Sequence, residues 1–444
     1  MIRHSSRAFI LSLIACVLAV MAPARNAHAV PSFARQMNME CGGCHTRFPK
    51  LNAFGRQFKA SGYTMAASAQ LKSAGKGEQT LGLNDLPPFS VMFQTSYTNL
   101  AARVPDTQNN AFQFPQQASI FVAGRISPKI GSFVQLTYSQ EDDKFGMDNA
   151  EFRYADNTSI GSKPVNYGFV MNNNPTMEDL WNSTPAWGFP FAGSDVAPGP
   201  AAATLIDGAL GQDAAGLGAY AWLDHTYYLA TTFYRSAHLG TAAPSADSEM
   251  TIDSFAPYLR FAWQHVWGAN TLEVGAYGMW ADMIPDGVSG GTDKYKDEAA
   301  DVQYERPLHG GQLTVHGTLI HENQKLDATF AAGDSANRTN GLDTLRVDGS
   351  YGVGPWEFAA GVFDTTGDRD NVLYAPGEVD GSATGKPDSR GYLAQVAYFP
   401  WQNVQMTLQY TGYEKFNGAS SNYDGFGRNA SDNDSLFLQA WFVW

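Results

Sequence analysis

From Phe89 onward the chain alternates apolar and polar residues with a period of two, in blocks of about ten residues. Val404, Met406, Leu408 and Tyr410 fall on one side, and Gln405, Thr407 and Gln409 on the other. In the same way Val134, Leu136 and Tyr138 oppose Gln135, Thr137 and Ser139, and Leu272, Val274 and Ala276 oppose Glu273, Gly275 and Tyr277. Successive side chains of a strand point to opposite faces, so each block predicts a strand with one apolar and one polar face. Sixteen such strands are expected, near 89–99, 117–127, 130–140, 148–156, 164–171, 217–223, 226–235 and 254–267 in the first half. The second half gives 270–283, 296–305, 311–322, 341–352, 355–365, 389–399, 402–414 and 434–444.

The connections alternate in length. Those after odd strands are long, as in 100–116, 172–216 and 366–388, whereas Pro128-Lys129, Asp224-His225, Gly268-Ala269 and Pro400-Trp401 are tight turns. Long loops on one rim and short turns on the other predict an all-β fold, a 16-stranded antiparallel transmembrane β-barrel of porin type. The last block, L-F-L-Q-A-W-F-V-W, ends on the aromatic Trp444, which suits recognition for barrel assembly. A soluble β-sandwich would share the alternation of residues but not the alternation of connection lengths. No uninterrupted apolar run approaches the roughly 20 residues a membrane helix needs, so a membrane role must come from strands.

The chain begins differently. Arg3 and Arg7 precede an apolar stretch from Ala8 to Val20, and Ala27-His28-Ala29 has the form of a cleavage site. Residues 1–29 are therefore expected to be a secretory signal peptide. Leu13-Ile14-Ala15-Cys16 also resembles a lipoprotein cleavage box, but the apolar run continues past Cys16. The expected organisation is a leader (1–29), a small N-terminal segment (30–88) and the barrel (89–444).

That segment carries the chemistry. Cys41, Cys44 and His45 form C-G-G-C-H, the pattern for covalent attachment of one haem c. Both thiols add to the porphyrin vinyl groups, and the adjacent imidazole becomes the proximal iron ligand. A structural zinc site needs about four ligands, and no second cysteine pair exists. A thioredoxin-like pair would sit in a βαβ context, which is absent. Pro49 suits a helix start, and Leu51, Phe54 and Phe58 recur at i, i+3 and i+7, an apolar stripe for a haem face. Arg56 and Lys59 stand ready for the propionates. His45 is the only histidine between Val30 and Pro88, so the distal ligand of this α-helical cytochrome c plug is sought at Met37, Met39 or Met65. Met65 is favoured, since it lies past a helix end at Gly62; a barrel histidine or an open position are the alternatives.

Composition divides the chain in the same place. Overall there are 29 Lys+Arg and 43 Asp+Glu, a net charge of −14, which argues against a nucleic-acid partner. With 13% aromatic and only 16% charged residues it is not a disordered chain. Residues 30–88 are nevertheless basic, with seven Lys/Arg against three Asp/Glu, so an acidic barrel should attract them electrostatically. A barrel of this size has room for a plug, and the segment is expected in or across the periplasmic half of the lumen. The long loop 172–216 is expected to fold inward. Acids on the predicted outer loops (Glu141, Asp142, Asp143, Asp286, Asp293, Asp368, Asp370, Glu378, Asp380 and Asp432) would raise the local cation concentration. Inward positions such as Glu151, Arg153, Arg260, Glu273, His316, Arg346, Asp348 and Glu357 form a mixed set that assigns no metal site.

The N-terminal segment resembles the outer-membrane monohaem cytochrome–porin fusion family, the iron(II) oxidases of iron-oxidising bacteria. The matching residues are V-P-S-F-A-R-Q at 30–36, C-G-G-C-H at 41–45 and F-P-K-L-N-A-F-G-R-Q-F-K-A-S-G-Y-T at 48–64. A second match, N-N-N-P-T-M-E-D-L-W-N-S-T-P-A-W-G-F-P-F, runs from Asn172 to Phe191 in the longest loop. The resemblance implies an outer-membrane protein that takes electrons from extracellular Fe(II) and passes them to a periplasmic electron-carrier cytochrome. It carries Cys41, Cys44 and His45 over as haem attachment and proximal ligation. It fixes neither the distal ligand nor an iron site. A haem-plugged solute porin, or electron flow outward to an external acceptor, would use the same parts.

Overall fold

The computed structural model describes residues 30–72, 82–105, 107–140, 143–237, 250–286, 288 and 290–444. The expected signal peptide and the loop acids Glu141 and Asp142 lie outside the described residues.

Sixteen long strands form one closed antiparallel barrel. They are β1 (Phe89–Leu100), β2 (Phe112–Ser127), β3 (Ile130–Ser139) and β4 (Lys144–Ile160). Next come β5 (Lys163–Asn172), β6 (Ala214–Leu223), β7 (Tyr227–Ser236) and β8 (Ala256–Trp267). The second half holds β9 (Asn270–Pro285), β10 (Asp293–Leu308), β11 (Gly311–Lys325) and β12 (Thr339–Val353). The circuit ends with β13 (Trp356–Gly367), β14 (Ser389–Trp401), β15 (Val404–Lys415) and β16 (Ser435–Val443). The last strand closes on the first in a continuous ladder from Ser435↔Leu100 to Val443↔Met92. Closure leaves no row of unpaired amides, the condition for crossing a bilayer with strands.

Each expected strand is present, and the differences lie at the ends. β4 runs from residue 144 to 160 rather than 148 to 156, because ladder pairing with β3 and β5 continues past the alternating block. The strand expected from 254 begins at Ala256, and ahead of it a separate short piece, Met250–Ile252, pairs with the far end of β9.

The faces are those the alternation predicts. Gln135, Thr137, Glu273, Thr407 and Gln409 are buried inside, while Leu408 and Val274 point outward and are exposed. Leu217 (65% exposed) and Leu229 (57%) belong to the same outer surface. Polar residues inside and apolar residues outside reverse the soluble order, as burial against lipid requires. Glu151, Arg153, Arg260, Glu273, His316 and Glu357 are all buried in the lumen.

Two segments fill the lumen. The first, residues 30–72, holds α1 (Pro31–Met37) and α2 (Ala53–Ala60), with a two-stranded hairpin, His45–Arg47 with Lys50–Leu51, between them. Pro49 lies in that hairpin, not at a helix start; α2 begins at Ala53, because the Asn52 side chain accepts the Gly55 amide at 3.0 Å as its cap. The segment grips the wall on several sides. Lys50 reaches Ser350 (2.6 Å) and Glu357 (3.2 Å), Arg56 clasps both oxygens of Glu305 (3.1 and 2.9 Å), and Arg47 meets the Gly354 carbonyl. On the far side Tyr63 meets Glu151, and Tyr220 donates to the Ala60 carbonyl at 2.8 Å. The expected attraction of a basic segment to an acidic wall is thus realised as specific pairs.

The second is the loop 173–213, which folds inward as expected. Met177, Leu180 and Trp181 are buried, Asp179 accepts from Arg260 of β8 at 3.1 Å, and the Met177 carbonyl accepts from Lys59 at 2.7 Å.

Several loop acids have structural duties instead of forming a funnel. Asp293 is buried at the start of β10, where it accepts the amides of Ala328 (2.7 Å) and Thr329 (3.2 Å) in α3 (Asp327–Ala332). Asp370 is buried and takes the amides of Ala336, Asn337, Val372 and Leu373. Asp432 completes a capping box with Asn429. Carboxylates committed to amide donors are anchors of loop geometry.

Candidate cofactor site

Where the N-terminal segment, the inward loop and the wall meet, they enclose a cavity of about 450 Å³. Cys41, Cys44 and His45 all line it. The segment adds Phe33, Phe48 and Phe58, the wall Met92, Phe121, Phe133 and Trp441, and the loop Trp187 and Phe191. An aromatic chamber of this size, with two thiols and an imidazole on one side, has the chemistry of a pocket for a large flat apolar group.

The motif is held by local hydrogen bonds. Cys41–Gly43 forms one turn of 3₁₀ helix, and the Cys44 amide returns to the Cys41 carbonyl at 3.1 Å. Asn52 then binds the turn from outside: its side-chain amide donates to Gly42 (3.2 Å) and Gly43 (3.1 Å), and its backbone amide to Cys44 (2.9 Å). One asparagine therefore caps α2 and fixes the cysteine turn, a role that sequence reasoning missed although an Asn before a helical stripe is its signal. Gly55 permits the close approach, since a Cβ there would lie 2.2 Å from the Cys44 carbonyl oxygen.

The His45 ring is oriented by its Nδ1, which donates to the Pro49 carbonyl at 3.1 Å. Burial pushes its pKa down to about 4, against the opposing pull of carbonyls at Pro49 and Lys50, so the imidazole is neutral at ordinary pH. A neutral ring with Nδ1–H engaged presents Nε2 as the available donor, the arrangement of an iron-ligating histidine. Burial also pushes the Cys41 thiol up to about 12 and Cys44 to about 11. Both thiols are therefore protonated in this structure, the form in which a thiol adds across a vinyl group.

The remaining expected residues divide. Phe58 and Leu51 line the cavity, and so does Lys59, whose ammonium lies over Trp187 at 4.5 Å and bonds the Met177 carbonyl. Burial is the main reason its pKa falls to about 8, with Glu151 opposing. Arg56 is turned away from the cavity and spent on Glu305. Met65 is not part of the lining: it packs with Met37, Phe58 and Tyr63, and its carbonyl accepts Gln36 at 2.6 Å. The methionines that do line the cavity are Met39, next to the cysteine turn, and Met92 of β1. Gln36 is a second missed residue, buried, with its side chain tying together Tyr63, Met65, Asn84 and the Arg125 amide.

A closed sixteen-stranded antiparallel barrel with an apolar outer face and a filled polar lumen is a porin-like β-barrel of the bacterial outer membrane. Among solved structures the chain is similar to OmpT, an outer membrane protein of Vibrio cholerae, at 11% identity, covering 84% of this chain and 99% of that one with a TM-score of 0.43. It is also similar to the outer membrane channel DcaP of Acinetobacter baumannii, at 9% identity over 80% of this chain and 96% of that one, TM-score 0.47. A mutant porin of Rh. blastica matches at 9% identity over 80% and 99%, TM-score 0.39. No family model matches the chain, and no curated protein matches it.

Proposed function

We propose that this chain is an outer-membrane c-type cytochrome–porin that oxidises extracellular Fe(II) and hands the electron to a periplasmic carrier cytochrome. The observation that carries the reading is the convergence of Cys41, Cys44 and His45 on one aromatic cavity inside the barrel. Haem c held there would supply a one-electron couple. Cys41 and Cys44 would hold it by thioether bonds, and His45 would ligate through Nε2 while Pro49 fixes the ring. Of the methionines, Met39 and Met92 line the cavity and Met65 does not, so either of the first two would be the nearer sulfur for a second ligand. Aromatic side chains form much of the wall, and the polarity around a haem is one of the levers on its potential. In the reaction each Fe²⁺ loses one electron, and the carrier gains it.

The test is direct. Addition of Fe²⁺ to the purified, haem-loaded full chain in detergent should reduce it, as read from its absorbance, and a His45→Ala form should not respond. An intact protein that takes no electron from Fe²⁺ at any pH between 4 and 8 ends this reading.

A second reading, a solute porin with residues 30–72 as its plug, is favoured by the barrel itself and by a further cavity on its outer side. It predicts stepwise ionic conductance of the intact protein in planar bilayers and no response of its absorbance to Fe²⁺.

A further inference from the structure

The wall of the inner chamber carries three N–H donors in a row. Trp441 of β16, Gln94 of β1 and Gln117 of β2 all line it. Trp441 stands directly across the ladder from Gln94, and Gln94 directly across the next ladder from Gln117. Adjacent strands lie about 4.8 Å apart, so the three side chains stand abreast at one level of the barrel.

Among the described residues none of the three finds a good acceptor. Trp441 is 8% exposed, and its indole Nε1 is buried without a hydrogen-bond partner. Gln405, across the ladder on the other side of Trp441, does not supply one: its own Oε1 lacks a donor, so the two do not meet. Gln94 is 3% exposed. Gln439 donates to its oxygen at 3.0 Å, which leaves the Gln94 nitrogen to the Met92 sulfur at 3.5 Å. A thioether is a weak acceptor. Gln117 has no side-chain partner among the described residues.

Buried polar groups in folded proteins are nearly always paired, so an orphaned donor on a chamber wall asks for a partner from inside the chamber. The bases of α2 that would answer an anion are spent elsewhere, Arg56 on Glu305 and Lys59 on the Met177 carbonyl. What the wall offers is a set of neutral donors. Their complement is an acceptor-only group, and an ionised carboxylate is one, with two oxygens and no proton to give. Hydrogen bonds to the ionised form favour it without bringing a counter-charge.

We infer that Trp441, Gln94 and Gln117 form a carboxylate seat, and that it takes a propionate of the haem held by Cys41 and Cys44. The inference rests on the haem reading of the chamber but not on Fe²⁺ as the donor. It moves the propionate contact from the bases of α2 to the wall of β16, β1 and β2. The three side chains bind the edge of the cofactor and take no part in moving the electron.

Two probes test the seat, and the heat-dependent gel shift of a folded barrel checks that every variant folds. The first is resonance Raman spectroscopy of the haem-loaded full chain in detergent, where the propionate bending band moves when hydrogen bonds to the carboxylate are lost. Gln94→Leu, Gln117→Leu and Trp441→Phe should each shift that band. Gln409→Leu, at a buried lumen position off the chamber, should not. The second probe needs no covalent attachment. The full chain carrying Cys41→Ser and Cys44→Ser is titrated in one detergent with haemin and with haemin dimethyl ester, whose blocked propionates carry no charge. It should prefer the free acid by roughly tenfold, the worth of a hydrogen bond to a charged group. Adding Gln94→Leu should remove most of that preference. An unmoved Raman band in all three variants, together with equal affinity for acid and ester, overturns the seat and leaves the haem reading in place. A wild type without covalent pigment overturns both. Failure of Fe²⁺ to reduce the pigment overturns only the oxidase reading.

Discussion

The two cavities of the lumen share one barrel and both adjoin buried wall acids, yet their charges are balanced in different ways. Around the inner cavity the N-terminal segment brings its own bases to the wall: Arg56 to Glu305 and Lys50 to Glu357. Glu151 is matched by Arg153 from the wall itself. At the outer cavity no basic segment arrives, and Asp297 and Glu322 face each other with only amide donors. Bases brought by a neighbouring segment hold the wall acids at the inner end, whereas the outer pair relies on amide donors and on its own two carboxyls.

The largest expected effect separates the inner chamber from everything else. Replacing Cys41 and Cys44 with serine should abolish pigment that survives denaturing gel electrophoresis, while the heat-dependent gel shift of the barrel persists. The second prediction sets the two acidic regions against each other. Arg56→Ala leaves Glu305 buried without its partner and should cost about 3–5 kcal/mol of stability. Glu322→Gln, which removes a like-charge contact, should leave stability unchanged or higher, both by denaturant unfolding in detergent. If both variants destabilise equally, the contrast in charge balance is wrong.

Smaller effects test how the cysteine turn is held. Gly55→Ala drives a Cβ against the Cys44 carbonyl and should cost about 1–3 kcal/mol, read as faster proteolysis of residues 30–72. Asn52→Ala loses the cap of α2 and should cost about 1 kcal/mol by the same assay, with the barrel ladder untouched. The smallest is a pH effect. Burial lowers the Lys59 pKa to about 8, so the unfolded chain holds the extra proton above that pH. Protease resistance of the N-terminal segment should therefore rise as pH goes from 8 towards the ordinary lysine value near 10.5 and stay flat below 8. A Lys59→Met form should lose that slope.

The barrel was legible because its signal is local and repeated. A block such as Val404–Tyr410 declares its own faces, and the contrast between Gly268-Ala269 and the loop 172–216 declares its rims. The motif was legible for the same reason, five adjacent residues with a chemistry of their own. Spacing along α2 says which side Arg56 takes but not what lies there, and a position past the helix end says nothing of where the chain then carries Met65. Arg56 meets Glu305, 249 residues further on, and no local pattern announces that pair. Asp293 and Asp370 read as loop charges because their burial depends on amides supplied by distant turns.

By itself the sequence determined the number of strands, their inner and outer faces and the place of the cysteine–histidine turn, since period-two alternation and contiguous motifs are short-range properties of a chain. Only the tertiary structure decided which methionines reach the cavity, which acids meet a base and which pair meets only amides and each other. Those outcomes depend on ladder register and on two segments folding into one lumen, where a group's charge balance is set by neighbours far away in the chain.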